Sequence, residues 1–428
     1  MPIELSTADA DFAGRFADFV DAGRETATDV SAVVAGIVAD VRARGDAAVV
    51  DLTRRFDRME VTAQTLRFTG AEIAAAKDRI EPDLHAALEL AADRIRAFHA
   101  GQLPADHDAV DAQGIRAGWR WSAIDDVGIY VPGGLASYPS TVLMNAIPAK
   151  VAGVRRLVMT TPTPGGTVNP LVLYAAHLAG VDEIYRVGGA QAIAALTFGT
   201  GTIAPVDKIT GPGNAYVAEA KRQLYGRVGI DMVAGPSEIL VVADSAANPD
   251  WLAADLLSQA EHDRVAQAIL MTDDTDLARR TAQAVDATLD ALGADVARES
   301  WARFGAIITV RSLDEAPPLI DALAPEHLAL SIADPQAMFA RIRHAGSVFM
   351  GYRTPEAIGD YIGGPNHTLP TGRRARFSSG LSVADFMKRT TFLDCSAEGL
   401  AAVGPAAARL AEAEGLPAHA LSVTRRLG

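Results

Sequence analysis

The chain has 428 residues, 49% apolar and 21% charged. These values lie near the globular averages of about 45–50% and 25%, which excludes wholesale disorder and small stapled scaffolds and, at roughly 150 residues per domain, allows two or three domains. Fifty-three acids against 39 Lys and Arg leave a net charge of −14, which disfavours nucleic acid or any other polyanionic partner, because phosphate binding needs clustered positive charge.

The stretch from Met1 to Phe12 carries acids rather than a basic head and a long apolar run, so it does not read as a secretory signal, and cytoplasm is the expected compartment. Asp29 reads as an N-cap to a helix with Val30, Val33, Val34, Ile37, Val38 and Val41 at helical spacing, stopped by Gly45, with Asp46 capping the next helix. The richest apolar stretch, Ala32 to Ala39, is far shorter than the roughly 18 residues a bilayer crossing needs, so no membrane span is expected. From Val127 the pattern changes to short β-rich runs separated by Gly/Pro turns and Ala-rich helical stretches: 127–131, 156–161, 183–187 and 239–243. The alternation returns at 267–272, 306–310, 328–332 and 347–350, followed by a polar, glycine-rich loop from Gly359 to Gly380. Alternating strands and helices predict α/β units with parallel sheets. The last stretch, from Leu381, is helical in composition, with a break at Glu414-Gly415-Leu416, and reads as a tail packed elsewhere, such as on another subunit.

Several segments carry side chains suited to chemistry. In Asp255 to Asp263, Gln259 and His262 are spaced i, i+3, which on a helix places them on one face, although a solvated polar face gives the same spacing. Glu326 and His327 precede an apolar run and form a candidate acid/base pair. Asp360 and His367 lie in the glycine-rich loop, and Glu414 and His419 flank the break in the tail. Gln259, His262, Asp360 and His419 together offer two nitrogens and two oxygens without a thiolate, a set suited to zinc or another borderline divalent ion, manganese included. The single cysteine, Cys395, can form neither an internal disulfide nor a thiolate cage and fits a reducing compartment; it is expected to be a buried apolar residue rather than a nucleophile. Glycine turns at Tyr130 to Gly134, Gly188 to Gln191 and Gly211 to Tyr216 each join a strand-like run to a helical one. Backbone amides there can receive phosphate, but none completes Gly-x-Gly-x-x-Gly, and close packing would also demand glycine.

Taken in order, the stretches 130–153 (YVPGGLASYPSTVLMNAIPAKVAG), 188–195, 211–223 (GPGNAYVAEAKRQ), 230–243 (IDMVAGPSEILVVA), 255–263, 325–328, 359–371 and 414–419 resemble histidinol dehydrogenases over nearly the whole chain. The resemblance implies two Rossmann-like domains with parallel-rich sheets plus N- and C-terminal helical extensions, and four-electron oxidation of L-histidinol through L-histidinal to L-histidine with two NAD and one zinc. It implies Gln259, His262, Asp360 and His419 as zinc ligands and Glu326 and His327 as the catalytic pair. Ser237, His367 and Glu414 match substrate contacts, together with the ligand set and His327; Tyr130, Gln191 and Asn214 match NAD contacts. It also implies a homodimer whose tail crosses to complete the partner's site. On this basis residues 1–24 are expected to form an N-terminal extension, 25–129 with 238–380 a discontinuous first α/β domain, 130–237 the NAD-contacting domain, and 381–428 the crossing tail. Departures from the family pattern are the Leu135-Ala136-Ser137 stretch and Thr368, neither a carried-over position. Rival readings are a same-scaffold dehydrogenase for another small diol, such as a sulfonated one, a zinc hydrolase that needs no NAD, and a non-catalytic small-molecule binder.

Overall fold

The computed structural model describes residues 2–22, 29–133, 138–233 and 235–428, so the atypical Leu135 to Ser137 stretch lies outside the described residues. Two parallel sheets carry the architecture. One is six-stranded, in the order Ile3–Ser6, Ala306–Thr309, Gln267–Thr272, Glu238–Ala243, His327–Ser331, Ser347–Met350. The other is five-stranded, in the order Glu183–Tyr185, Arg156–Thr160, Asp126–Tyr130, Lys208–Thr210, Gly229–Ile230. The central runs 238–243 and 267–272 are buried at every residue, as strands covered on both faces must be.

Each sheet is filled by period-2 alternation. In the five-stranded sheet, Val127, Ile129, Leu157 and Met159 face helices Pro82–Ala100, Pro139–Ala152 and Pro170–Leu178. Tyr130, Val158 and Ile209 face helices Ser31–Arg44, Asp46–Asp57, Gly189–Phe198 and Ala215–Leu224. In the six-stranded sheet, Ile239, Val241 and Leu270 pack on helices Pro249–Ala260 and Thr275–Leu292, while Leu240, Val242 and Met271 pack with Phe16, Ile320 and Met338. At about 1.5–3 kcal/mol per fully buried large aliphatic side chain, these four layers supply the folding drive.

The α/β class with parallel-rich sheets is therefore observed, and several details differ from expectation. Residues expected to form a purely helical N-terminal extension begin with the strand Ile3–Ser6, which pairs in parallel with Ala306–Thr309 and closes one edge of the six-stranded sheet. The helices between 31 and 100 were grouped with 238–380, but Val34, Val41, Leu52 and Ile95 are buried against the five-stranded sheet instead, and the 129/130 boundary falls inside the strand Asp126–Tyr130. Asp46 is the first residue of its helix rather than the cap; Gly45, at φ 56°, makes the turn, and the Asp46 carboxylate accepts from the Thr202 hydroxyl at 2.9 Å. The tail is not wholly helical. Met387–Cys395 is a strand antiparallel to Ile115–Ala123, which also pairs with His107–Val110, and only then do helices Ala397–Ala413 and Pro417–Thr424 follow. Its β-branched and aromatic Thr390, Thr391 and Phe392 favour that geometry. Cys395 ends this strand and is exposed, contrary to the expected buried position. No described helix is long and apolar enough to cross a membrane.

Candidate active site

A cleft of about 320 Å³ lies where the amino ends of the six-stranded sheet meet the carboxyl ends of the five-stranded one. Its walls include Ser237, Gln259, His262, Glu326, His327, Asp360 and His367, with Gly211, Lys221 and Asp231 from the other sheet. Gln259 sits in the last turn of helix Pro249–Ala260 and His262 just beyond it. His327 opens its strand and Glu326 precedes it, so adjacent strand backbone holds both. Asp360 belongs to a short helix, Glu356–Tyr361, where an unstructured loop was expected.

Hydrogen bonds fix the candidate acid/base pair, Glu326 and His327. Glu326 Oε2 accepts from Glu238 N–H at 2.9 Å, and His327 Nδ1 lies 3.0 Å from Glu238 O. A carbonyl can only accept, so Nδ1 carries a proton, which leaves Nε2 as the atom free to exchange one. Nε2 has no hydrogen-bond partner among the described residues and stands 3.7 Å from Asp360 Oδ1. Glu356 Oε1 is 3.3 Å from His327 Nδ1 and, with the Gln259 amide turned to satisfy both its ends, 2.7 Å from the Gln259 nitrogen. His367 Nδ1 faces Asp360 O at 2.9 Å.

Burial and crowded negative charge set the ionisation states. Burial pushes the Glu326 carboxyl up to about 7 and, aided by neighbouring carboxylates, Glu356 to about 8. Burial opposes a charged His327, but Glu356, Glu326 and Asp360 outweigh it and raise the imidazole. Burial also disfavours charge on Asp360, yet His327, 3.7 Å away, and the neighbouring imidazoles hold its carboxyl low. Burial depresses His367.

The donor set fits a metal ion. His327, Glu356 and Asp360 place ligand-type atoms within 4.8 Å of one another, which marks this corner of the cleft as suited to a cation, and among the described residues Glu356 Oε2 is buried without a partner. Three carboxylates in a buried pocket call for positive charge, and Gln259 and His262 add an oxygen and a nitrogen to the same wall.

A second cleft of about 900 Å³ adjoins the first and shares Pro132 with it. It lies at the carboxyl end of the five-stranded sheet, where open α/β sheets receive ligands. Tyr130, Gln191 and Asn214 line it together. Tyr130 Oη accepts from Gly189 N–H at 3.1 Å at the start of one helix, and Asn214 Oδ1 caps another through Tyr216 N–H at 3.1 Å. Two helix N-termini facing one cleft suit a pyrophosphate. Gly211, at φ 109°, passes so close to Tyr130 O that a Cβ would lie 2.1 Å from it, so no larger residue fits this turn.

Comparison with known proteins agrees with this geometry. The sequence model of the histidinol dehydrogenase family matches residues 21–427. Histidinol dehydrogenases from Ruegeria pomeroyi and Rhodospirillum rubrum are 63% and 62% identical over 100% of this chain and 99% of their own. This chain belongs to the histidinol dehydrogenase family. The crystal structure of histidinol dehydrogenase from Elizabethkingia anophelis superposes with a TM-score of 0.95 at 38% identity, covering 100% of this chain and 98% of that one.

Not every site residue expected from the histidinol dehydrogenase resemblance converges within one subunit. Glu414, in the turn between the two tail helices, and His419, in the second of them, are exposed and do not line the cleft. Thr368, the atypical position, is buried and takes a 3.4 Å hydrogen bond from the Asn145 amide. Sequence reading missed Glu356 and the Lys221–Asp231 pair. Glu356 was detectable: it lies four residues before Asp360, the spacing that puts two carboxylates on one helix face.

Proposed function

We propose that this chain is a cytoplasmic, NAD- and zinc-dependent oxidoreductase that converts L-histidinol through L-histidinal to L-histidine as a homodimer. The observation that carries the reading is the meeting of Gln259, His262, Asp360, Glu326 and His327 in one cleft that opens onto the cleft of Tyr130, Gln191 and Asn214. Gln259, His262 and Asp360, with the partner subunit's His419, would hold the zinc. When bound, NAD would supply the hydride acceptor, and zinc would offset the carboxylate charge and help to position the substrate. Ser237 and His367 line the substrate's side of the cleft, and the partner subunit's Glu414 would complete it.

With the surrounding carboxylates offset by a bound cation, His327 would be neutral, keep its Nδ1 proton on Glu238 O and take the alcohol's hydroxyl proton at Nε2 as hydride leaves carbon. The aldehyde then needs an added nucleophile before a second hydride can leave. Cys395 is on the three-stranded sheet, away from the cleft, so the nucleophile is water. Glu326 removes a proton from it as the carbon–oxygen bond forms, and its Glu238 N–H anchor keeps that carboxylate aimed. His327 accepts the hydrate's hydroxyl proton in the second oxidation. The balance is one alcohol, one water and two NAD to one carboxylate, two NADH and three protons.

The decisive experiment measures NADH formed per L-histidinol, before and after chelation. Two NADH per substrate, lost on chelation and restored by zinc, is the expected result. Turnover of a sulfonated diol but not histidinol would replace the substrate assignment, and product release without NAD would make the protein a hydrolase.

A further inference from the structure

One ionisable side chain in the second cleft is poorly served by its own fold. Asp57 is the last residue of helix Asp46–Asp57, is only 8% exposed, and lines the cleft beside Phe56, Tyr130 and Gln191. Among the described residues its one hydrogen bond is a long one, from Thr163 N–H at 3.4 Å, and no cation pairs with it. The Thr163 hydroxyl is turned to Met59 Sδ at 3.0 Å. A carboxylate at the C-terminal end of a helix also faces the negative end of the macrodipole, where stability alone would favour Lys or Arg. Burial accordingly pushes its pKa up. Its carboxylate thus keeps accepting capacity directed at the cleft, where a ligand can bring donors to it.

The position of Asp57 narrows the kind of donor. Hydride transfer requires the nicotinamide end to reach Pro132, which the two clefts share. The wall built by Leu52, Phe56 and Asp57 belongs to the second cleft alone, so it faces the adenosine end. We propose that Asp57 accepts the 2′ and 3′ hydroxyls of the adenosine ribose and thereby selects the unphosphorylated dinucleotide over its 2′-phosphorylated form. The proposal rests on the NAD reading above. A ribose diol supplies the two missing donors, whereas a 2′-phosphate would set dianionic oxygens against a buried carboxylate.

Binding of NADH, NADPH and the 2′-deoxyadenosine analogue of NADH to the full chain, followed by NADH fluorescence without turnover, tests this. The wild-type protein should bind the deoxy analogue about tenfold more weakly than NADH and NADPH more weakly still, the tenfold step being that of one charge-assisted hydrogen bond. Asp57→Asn should weaken NADH about tenfold, remove the penalty on the deoxy analogue, and narrow the NADH/NADPH ratio at least tenfold. Equal wild-type binding of NADH and the deoxy analogue overturns the assignment without needing a variant that folds. An unchanged NADH/NADPH ratio in Asp57→Asn also overturns it. A wild-type protein that binds neither NADH nor NADPH would instead remove the NAD reading itself, and the role of Asp57 with it.

Discussion

Lys221→Met tests the link between the buried electrostatics of the five-stranded sheet and the cleft proposed to take NAD. Lys221 Nζ pairs with Asp231 Oδ1, the two side chains being 3% and 2% exposed. The ammonium also donates to Gly211 O at 3.0 Å, and Asp231 Oδ2 accepts from Gly211 N–H at 2.8 Å. The pair thus ties down the glycine turn that leads into Asn214. Methionine fills the space of the lysine stem but leaves the Asp231 carboxylate with Gly211 N–H as its remaining hydrogen bond. Stranding one charge of a buried pair costs about 3–5 kcal/mol, whereas replacing both charges is close to neutral. Urea unfolding followed by far-ultraviolet circular dichroism should therefore show Lys221→Met losing about 3 kcal/mol or more at an unchanged denaturant slope. The Lys221→Met, Asp231→Asn double variant should recover most of that loss, since Asn keeps the acceptor for Gly211 N–H. Both should bind NADH more weakly than wild type, because the turn loses its tie to Lys221. A single-variant loss below about 1 kcal/mol, or a double variant no more stable than the single, would refute the stranded-charge argument.

Three further outcomes are expected. Glu326→Gln should slow NADH formation from histidinal by about 10²–10⁴ and from histidinol far less, whereas His327→Gln should slow both; stopped-flow assays started from each substrate check this, and equal losses for Glu326→Gln would end the division of labour. His262→Asn should lower bound zinc, measured by elemental analysis, in parallel with activity; full zinc in an inactive variant would assign His262 another role. His99 is fully buried, with Nδ1 2.8 Å from Ile95 O, and burial lowers its pKa below 6.5. Below pH 6.5 the unfolded chain therefore takes up a proton that the folded chain refuses, so this contribution to stability is complete above 6.5 and is lost as pH falls towards the lowered folded value. The slope reaches at most about 1.4 kcal/mol per pH unit, and His99→Gln should flatten unfolding free energy against pH below 6.5; an unaltered slope would exclude His99 as the source.

How much of the site was legible depended on whether its residues are local. Glu326 and His327 are adjacent and open an apolar run, so strand placement and an acid/base role could be read together. Gln259 and His262 were legible as a helix-face pair from their spacing, whereas their grouping with Asp360 rested on ligand chemistry and on the family resemblance, not on any local pattern. Glu356 was obscured because its segment looks like loop: Gly359 and Gly363 break helical composition, and the helix from Glu356 to Tyr361 is only one and a half turns long, held by contact with the six-stranded sheet at Phe349, whose ring an added Cβ on Gly359 would meet at 2.4 Å. Asp57 carried no signal in the sequence, since nothing in RRFD indicates that its carboxylate will be buried in a cleft. The tail strand was missed for a similar reason. Met387–Cys395 is largely exposed, so it lacks the buried alternation that marks a strand, and its nine-residue pairing with Ile115–Ala123 lies far away in sequence.

Local chemistry in the chain already determined the strands of both parallel sheets near 127–131, 156–161, 239–243 and 267–272, because each must bury apolar side chains on both faces and is bounded by residues that turn. It also supplied most of the candidate metal-binding and acid/base side chains, Glu356 excepted, with no thiolate among them. Only the tertiary structure decided which sheet the helices of 31–100 cover, that the first residues close the edge of a sheet whose neighbouring strand begins at Ala306, and that the amino ends of one sheet meet the carboxyl ends of the other. Those outcomes depend on contacts across hundreds of residues, where the winning arrangement is the one that buries the most complementary surface while satisfying buried polar groups. Short-range periodicity contains no record of that competition.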